Sequence, residues 1–189
     1  MTISSVISAS LIVDADSENY WEGSVFEDVA ALSADARGKW GEELLNSISI
    51  ELGFDTKFDG DSNVGNSDGS VYDVEINGAR VEVKTSVAPL QFQHENIYAD
   101  HKWDKIVFID VNYDTIFFTV LDYSEMVFDA KHPVLGRKPT LRQAHTDAYK
   151  FDFGPATHRK GIEGGLTFAY TTTSPDEDGL ASFLEEKLG

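Results

Sequence analysis

Two carboxylates and a lysine are the side chains best spaced to do chemistry. Asp73, Glu82 and Lys84 lie in the stretch Val71 to Ser86, VYDVEINGARVEVKTS. Its centre is Asn77-Gly78. An Asn-Gly pair between alternating flanks predicts a two-residue β-hairpin, because both residues tolerate the positive φ of a type I′ turn. Counting outward from the turn sets Ile76 opposite Ala79, Glu75 opposite Arg80, Val74 opposite Val81 and Asp73 opposite Glu82. Side chains alternate along a strand, so Glu82 and Lys84 share a face, with Asp73 beside them. Val71, Asp73 and Glu75 are expected on that face, and Tyr72, Val74 and Ile76 on the other. Two directly opposed carboxylates repel each other. A cation relieves the repulsion, and hard oxygen ligands suit Mg²⁺ or Mn²⁺. A lysine beside such an ion positions or deprotonates water, or stabilises charge developing on a phosphate. The competing reading is a solvated hairpin face on which Lys84 only offsets charge.

The order Asp73, then Glu82-Val83-Lys84, resembles the PD-(D/E)xK signature of restriction-endonuclease-like nucleases, with Tyr72 where the signature usually has proline. The resemblance covers residues 36 to 121. It implies an α/β fold with a restriction-endonuclease-like core, a central mixed β-sheet flanked by helices in the order αβββαβ. It implies Mg²⁺ as cofactor, with Mn²⁺ able to substitute, and DNA as partner, cut as a phosphodiester. By this resemblance Asp73 and Glu82 bind the ion, the backbone carbonyl of Val83 is a further ligand, and Lys84 positions or activates water. A helix before the hairpin often adds an acid in such nucleases. GKWGEELLNSISIELGF resembles that helix, and its spacing favours Glu42, with Glu43 second. A helix after the hairpin often presents a glutamine, for which Gln93 is preferred over Gln91. Restriction enzymes are commonly dimers, so a homodimer is admitted. Two other classes compete: a non-catalytic binding module on the same fold, and an acidic DNA mimic or inhibitor. Nothing in the sequence separates DNA from RNA.

The elements that must position these residues can be read in order. Val6 to Val13 is an apolar stretch, a strand or the start of a helix, followed by an acidic loop. Ser24 to Leu32 is a short helix with Ser24 as cap and Glu27 at the capping-box position. Ser33 to Leu52 is the main early helix, capped by Ser33 and closed by Gly53. Its apolar stripe is Trp40, Leu44, Leu45, Ile48 and Leu52, and Gly41 on that stripe allows close approach to a sheet. Phe54 to Phe58 is a short strand. Asp59 to Ser70 is a turn-rich loop; Asp59, Asp61 and Asn63 imitate a calcium loop that Val64 and Ser70 then break. A helix is expected from Leu90 through QFQHENIYADHKW, carrying His94 and His101. Lys105 to Val111 and Thr115 to Leu121 are buried strands. Asp122 to Ala130 is a short helix. Phe151, Phe153, Phe168 and Tyr170 mark strands around an exposed turn, His158-Arg159-Lys160-Gly161. Asp178 to Leu188 is a final amphipathic helix.

Composition sets limits. At 189 residues with 41% hydrophobic residues, the chain suits one domain with a substantial core: residues 33–121, an N-terminal extension 1–32, and a basic, loop-rich elaboration 131–175. There is no cysteine, which excludes disulfides and thiolate metal sites. The start has no basic n-region and its apolar run is too short to span a membrane, so a soluble cytoplasmic protein is expected. The net charge is −18, from 15 basic and 33 acidic residues. A DNA binder is usually basic, because Lys and Arg contacts to phosphate supply its affinity. The distribution is uneven. Lys131 to Lys160 holds seven cations and only Asp147 and Asp152 as acids, so this segment is +5 and the remainder −23. Arg137, Lys138, Arg142, His158, Arg159 and Lys160 are accordingly the expected DNA contacts.

Overall fold

A computed structural model describes residues 2–10, 20–58, 71–100, 102–142 and 145–189. His101 and the loop 59–70, with its calcium-like acids, lie outside the described residues. The elements are α1 (Ile3–Ser10), α2 (Glu27–Ala31), α3 (Ala34–Glu51), β1 (Thr56–Lys57), β2 (Val74–Ile76), β3 (Ala79–Val87), β4 (Phe92–Tyr98), β5 (Lys105–Val111), β6 (Thr115–Asp122), β7 (Thr140–Arg142), β8 (His145–Phe153), α4 (Pro155–Glu163), β9 (Thr167–Thr171) and α5 (Glu177–Leu188). They make a mixed α/β structure with two sheets.

The larger sheet runs β1-β2-β3-β5-β6-β9, and the smaller runs β4-β8-β7. Only β3 and β5 are parallel; the other neighbours are antiparallel. The hairpin has the expected register, Val74 to Val81, Glu75 to Arg80 and Ile76 to Ala79. Asn77 and Gly78 sit at φ 49° and 83°, as a type I′ turn demands.

The central sheet is covered on both faces. Val107, Ile109 and Val111 of β5 pack with Leu44, Leu45 and Ile48 of α3 and with Leu180, Leu184 and Leu188 of α5. Ile106 and Phe108 point the other way, onto Phe92 and Ile97 of β4 and Phe151 and Phe153 of β8. Burial on both faces is why KIVFIDV reads as an apolar run, broken inside only by Asp110. Helix α3 begins where Ser33 accepts a hydrogen bond from the Ala36 N–H, at 3.3 Å. It ends at Gly53, φ 80°, in the left-handed conformation that glycine adopts cheaply. At Gly41 a Cβ would overlap the Thr85 hydroxyl of β3, so the missing side chain is what lets helix and sheet touch.

Three expectations are corrected. The segment after the hairpin is the strand β4, not a helix. Phe92 and His94 are buried and alternate with Gln93 and Glu95, a period of two. Asn96 then takes φ 57° and the register shifts between His94 and Ile97, and this bulge spoils the alternation in the sequence. The αβββαβ order therefore fails at its second helix, and β4 with its own sheet forms the crossover from β3 to β5. His158-Arg159-Lys160-Gly161 is not a turn but part of α4, started by Pro155 in its first turn. Residues 122–130 give only a 3₁₀ turn, Tyr123–Glu125.

Candidate functional site

Asp73 lies one residue beyond the β2–β3 ladder. Its N–H donates to the Val81 carbonyl at 3.0 Å, and its Oδ2 accepts from the Val83 N–H at 2.7 Å. A side-chain acceptor thus takes over where a strand acceptor would continue, and the pairing stops. The chain turns here. Tyr72 packs in the core beneath the smaller sheet, whereas Val74 and Ile76 pack against α3, so the three do not share a face as expected.

The turn opens a groove of about 870 Å³. Glu42 comes from α3, Asp73 from the end of β2, Glu82, Val83, Lys84 and Thr85 from β3, and Gln93, His94 and Glu95 from β4. On α3 the groove side reads Ala34, Gly38, Glu42, at the i, i+4 spacing of one helix face, with the exposed Asp35 at its rim, so Glu42 is the buried carboxylate that the helix supplies. Glu43 is on the exposed side of the helix and does not line it. Gln93 does, while Gln91 lines an adjoining hollow of about 300 Å³ that also contains Arg37.

The groove floor is unusually acidic for its burial. Glu42, Asp73 and Glu82 are 7%, 8% and 5% exposed. Burial, then the Asp73 charge, pushes the Glu42 carboxyl up to about 7, against the smaller pull of Lys84 and Lys39. Burial, then Glu82, pushes Asp73 up to about 6, against Lys84 and the Val83 N–H. Lys84 forms an ion pair with Glu82. Burial pulls its ammonium down, but Glu82 and Asp73 together outweigh this and hold it above its usual value. Lys84 is therefore a fixed positive charge and not a free amine. One Oε atom of Glu42 is buried and has no hydrogen-bond partner. Among the described residues no three acidic or histidine side chains are already gathered as a metal-ligand set.

The expected DNA contacts do not line the groove. Arg142 comes closest to the groove: it donates to Asn96 Oδ1 at 2.6 Å and pairs with Glu95 at 3.1 Å, both on the β4 wall. Arg137, Lys138, Arg159 and Lys160 are exposed elsewhere, on α4 and the turn packed against it. His158 is buried and turned inward.

That inward turn shows a cluster that sequence reasoning missed. Asp110 is fully buried between two histidines, with His158 Nε2 at 2.6 Å from one oxygen and His94 Nε2 at 2.8 Å from the other. The His158 contact is an aligned hydrogen bond; the His94 contact is close but poorly aligned. His158 also stacks on Phe117, with ring centroids 4.1 Å apart. The signal was present in β5: an aspartate alternating in phase with Ile106 and Phe108 faces a core and needs a partner.

No family model matches the chain, and no curated protein or solved structure matches it either.

Proposed function

We propose that the chain is a divalent-metal-dependent phosphodiesterase that cuts DNA in the groove between α3, the β2–β3 hairpin and β4. One observation carries the reading. Three buried carboxylates from three elements face one lysine, and the Glu42 oxygen among them has no partner. Buried polar groups are ordinarily satisfied, and leaving one orphaned costs roughly 1–3 kcal/mol. Such a floor is explained if it is built for a cation. The donor set is all oxygen, which suits Mg²⁺ or Mn²⁺ over softer ions.

Asp73, Glu82 and Glu42 are the side chains that would hold the ion, which when bound supplies Lewis-acid stabilisation of charge on phosphate oxygens. Asp73 lines the groove and is oriented by the Val83 N–H, which occupies its Oδ2 and not its Oδ1. Lys84, held charged by Glu82 and Asp73, orients water or a phosphate oxygen by hydrogen bonding and stabilises developing negative charge. Its raised proton affinity makes it a poor proton acceptor in the metal-free protein. Gln93 on the opposite wall offers an amide to the same space.

The test is incubation of the purified protein with supercoiled plasmid in Mg²⁺, in Mn²⁺ and in EDTA, beside the Lys84→Ala variant and with an RNA substrate in parallel. Cleavage that needs both metal and Lys84 supports the reading, and discrete fragments identify sequence-specific cutting. Wild type that leaves every substrate intact, or Lys84→Ala that cuts at the normal rate, overturns it.

A further inference from the structure

Exposed cations gather where the 131–138 turn meets α4. Lys131, Arg137, Lys138, Arg159 and Lys160 are exposed, and none is in an ion pair among the described residues. In a chain with more than twice as many acids as bases this is not the arrangement charge balance favours. By contrast, Lys57, Arg80, Lys84, Lys105, Arg142, Lys150 and Lys187 each have a carboxylate within reach; Arg37 and Lys39 of α3 are the other two with no ion pair among the described residues, and they lie on a different element. The only acid on α4, Glu163, pairs with none of the five.

The patch is also built. Its turn is closed by His132, whose N–H donates to the Arg137 carbonyl at 2.7 Å and whose carbonyl accepts from the Gly136 N–H at 2.8 Å. The His132 ring is buried, and its Nδ1 accepts from the Val134 and Leu135 N–H groups at 3.3 and 3.2 Å. The turn then lies along α4. Leu135 packs on Gly161, Val134 on Gly164, and Arg137 Nε donates to Thr157 at 3.4 Å. Gly136, at φ 68°, leaves the space that the Lys160 ammonium fills. Arg137 and Lys138 of the turn and Lys160 of the helix are thereby held together, while Arg159 falls on another face of α4.

Its place relative to the groove follows from strand register. Lys84 pairs with Phe108, Phe108 with Thr119 and Thr119 with Thr167. Gly161 of α4 rests on Thr167. The point where α4 rests on the sheet is thus three strand spacings from Lys84 in the same row, roughly 14 Å across the sheet, and the cations lie beyond it on α4 and its turn.

We infer that the 131–138 turn and α4 form a preassembled docking surface for the phosphodiester backbone of a nucleic acid, engaging a part of the backbone separate from the part in the groove. The choice of nucleic acid over another polyanion rests on the phosphodiesterase reading of the groove. Recognition by such a surface is through phosphate charge, so it is independent of base sequence and sensitive to salt.

The experiment measures binding of a fluorescent 20-base-pair duplex, and of the corresponding single strand, in EDTA at several salt concentrations. The proteins are Lys84→Ala, which has no catalytic lysine, and the same variant with either Lys160→Glu or Lys187→Glu. The two reversals change net charge equally, but Lys187 lies on α5. Lys160→Glu is expected to weaken binding at least tenfold and to lower the slope of log affinity against log salt by about 1. Lys187→Glu should stay within about twofold. A duplex bound more tightly than the single strand identifies double-stranded substrate, and the reverse identifies single-stranded. Equal effects of the two reversals, or self-association through the patch without nucleic-acid binding, overturn the inference. Hydrolysis of thymidine 5′-p-nitrophenyl phosphate in Mg²⁺ by proteins with Lys84 intact separates the two readings. Lys160→Glu should hydrolyse this small diester at the wild-type rate. If wild type binds the duplex but leaves the diester intact, the docking surface stands and the phosphodiesterase reading falls.

Discussion

Glu42 is the residue at which stability and function pull apart. Its carboxyl and that of Asp73 bind protons more tightly in the folded chain than in the unfolded one. The folded state therefore holds extra protons between about pH 4 and pH 7. Where the folded state binds more protons, stability falls as pH rises. The metal-free protein should lose about 2–4 kcal/mol between pH 4.5 and pH 7.5, less whatever its other carboxylates gain, with the loss complete once the folded-state values are passed. Denaturant midpoints across that range, for wild type and Glu42→Gln in EDTA, read it directly. Glu42→Gln should flatten the dependence, and at pH 8 it should be more stable than wild type by about 1–3 kcal/mol. A wild-type curve no steeper than that of the variant sinks the account. The same logic fixes a metal effect. Mg²⁺ at millimolar concentration should raise the melting temperature more at pH 8 than at pH 5.5, and Glu42→Gln or Glu82→Gln should diminish the gain. For cleavage, Lys84→Ala or Glu82→Ala should lower the rate at least a hundredfold while leaving the circular dichroism spectrum unchanged.

Between elements, two contacts decide whether the groove exists. Gly41 is where α3 meets β3, and any side chain there collides with Thr85. Gly41→Ala should cost about 1–3 kcal/mol, because overpacking a tight contact forces the backbone apart. Thr85→Ala in the same protein should recover most of that, and a chemical-denaturation double-mutant cycle measures the coupling. No coupling would mean that the helix shifts freely. Asp110 ties two elements at once, β4 through His94 and α4 through His158. Asp110→Ala strands two buried imidazoles and should cost about 3 kcal/mol or more. A loss below 1 kcal/mol in thermal or urea unfolding would show that the bridge is not holding those elements. How much was legible in the sequence follows from how local each signal is. The hairpin, its register and the cap and stop of α3 were readable because each depends on residues within a few positions. The close approach at Gly41 was readable because a glycine on an apolar stripe has few other uses. The strand β4 was not, because Asn96 breaks its alternation. Helix α4 was not, because its glycine and flanking basic residues look like a turn when Pro155 is not taken as a first-turn proline. The Asp110 bridge joins residues 16 and 48 positions away, and no local pattern announces that.

For the whole molecule, charge is divided and not merely negative. An acidic body, a buried acidic groove floor and an exposed cationic surface coexist in a chain of −18. Long-range repulsion between the body and a polyanion is screened beyond roughly 10 Å at 0.1 M salt, while contacts at the cationic surface persist. Affinity for nucleic acid should therefore peak at an intermediate ionic strength, not at the lowest. A salt titration from about 10 mM upward that falls monotonically would show that the acidic body does not matter. Among the described residues no helix is long and apolar enough to cross a membrane.

The wall of the groove has an order of arrival. Strand β4 is laddered to β8 in the smaller sheet and has no strand ladder with the hairpin that carries Asp73, Glu82 and Lys84, which it meets through the Gln93 N–H donating to Ser86 Oγ at 3.1 Å. Between Tyr98 and His145 a ribosome must add 46 residues, roughly 2–10 s of synthesis. Until then a nascent chain holds its acids and its lysine on an open hairpin with the far side missing. Ribosome-stalled chains ending near residue 140 should be cut quickly by protease within 92–98, and chains extended past β8 by the length of the exit tunnel should be protected there. The growing polypeptide is thereby kept from closing its groove by its own topology, and whatever the finished groove binds, the unfinished one cannot grip.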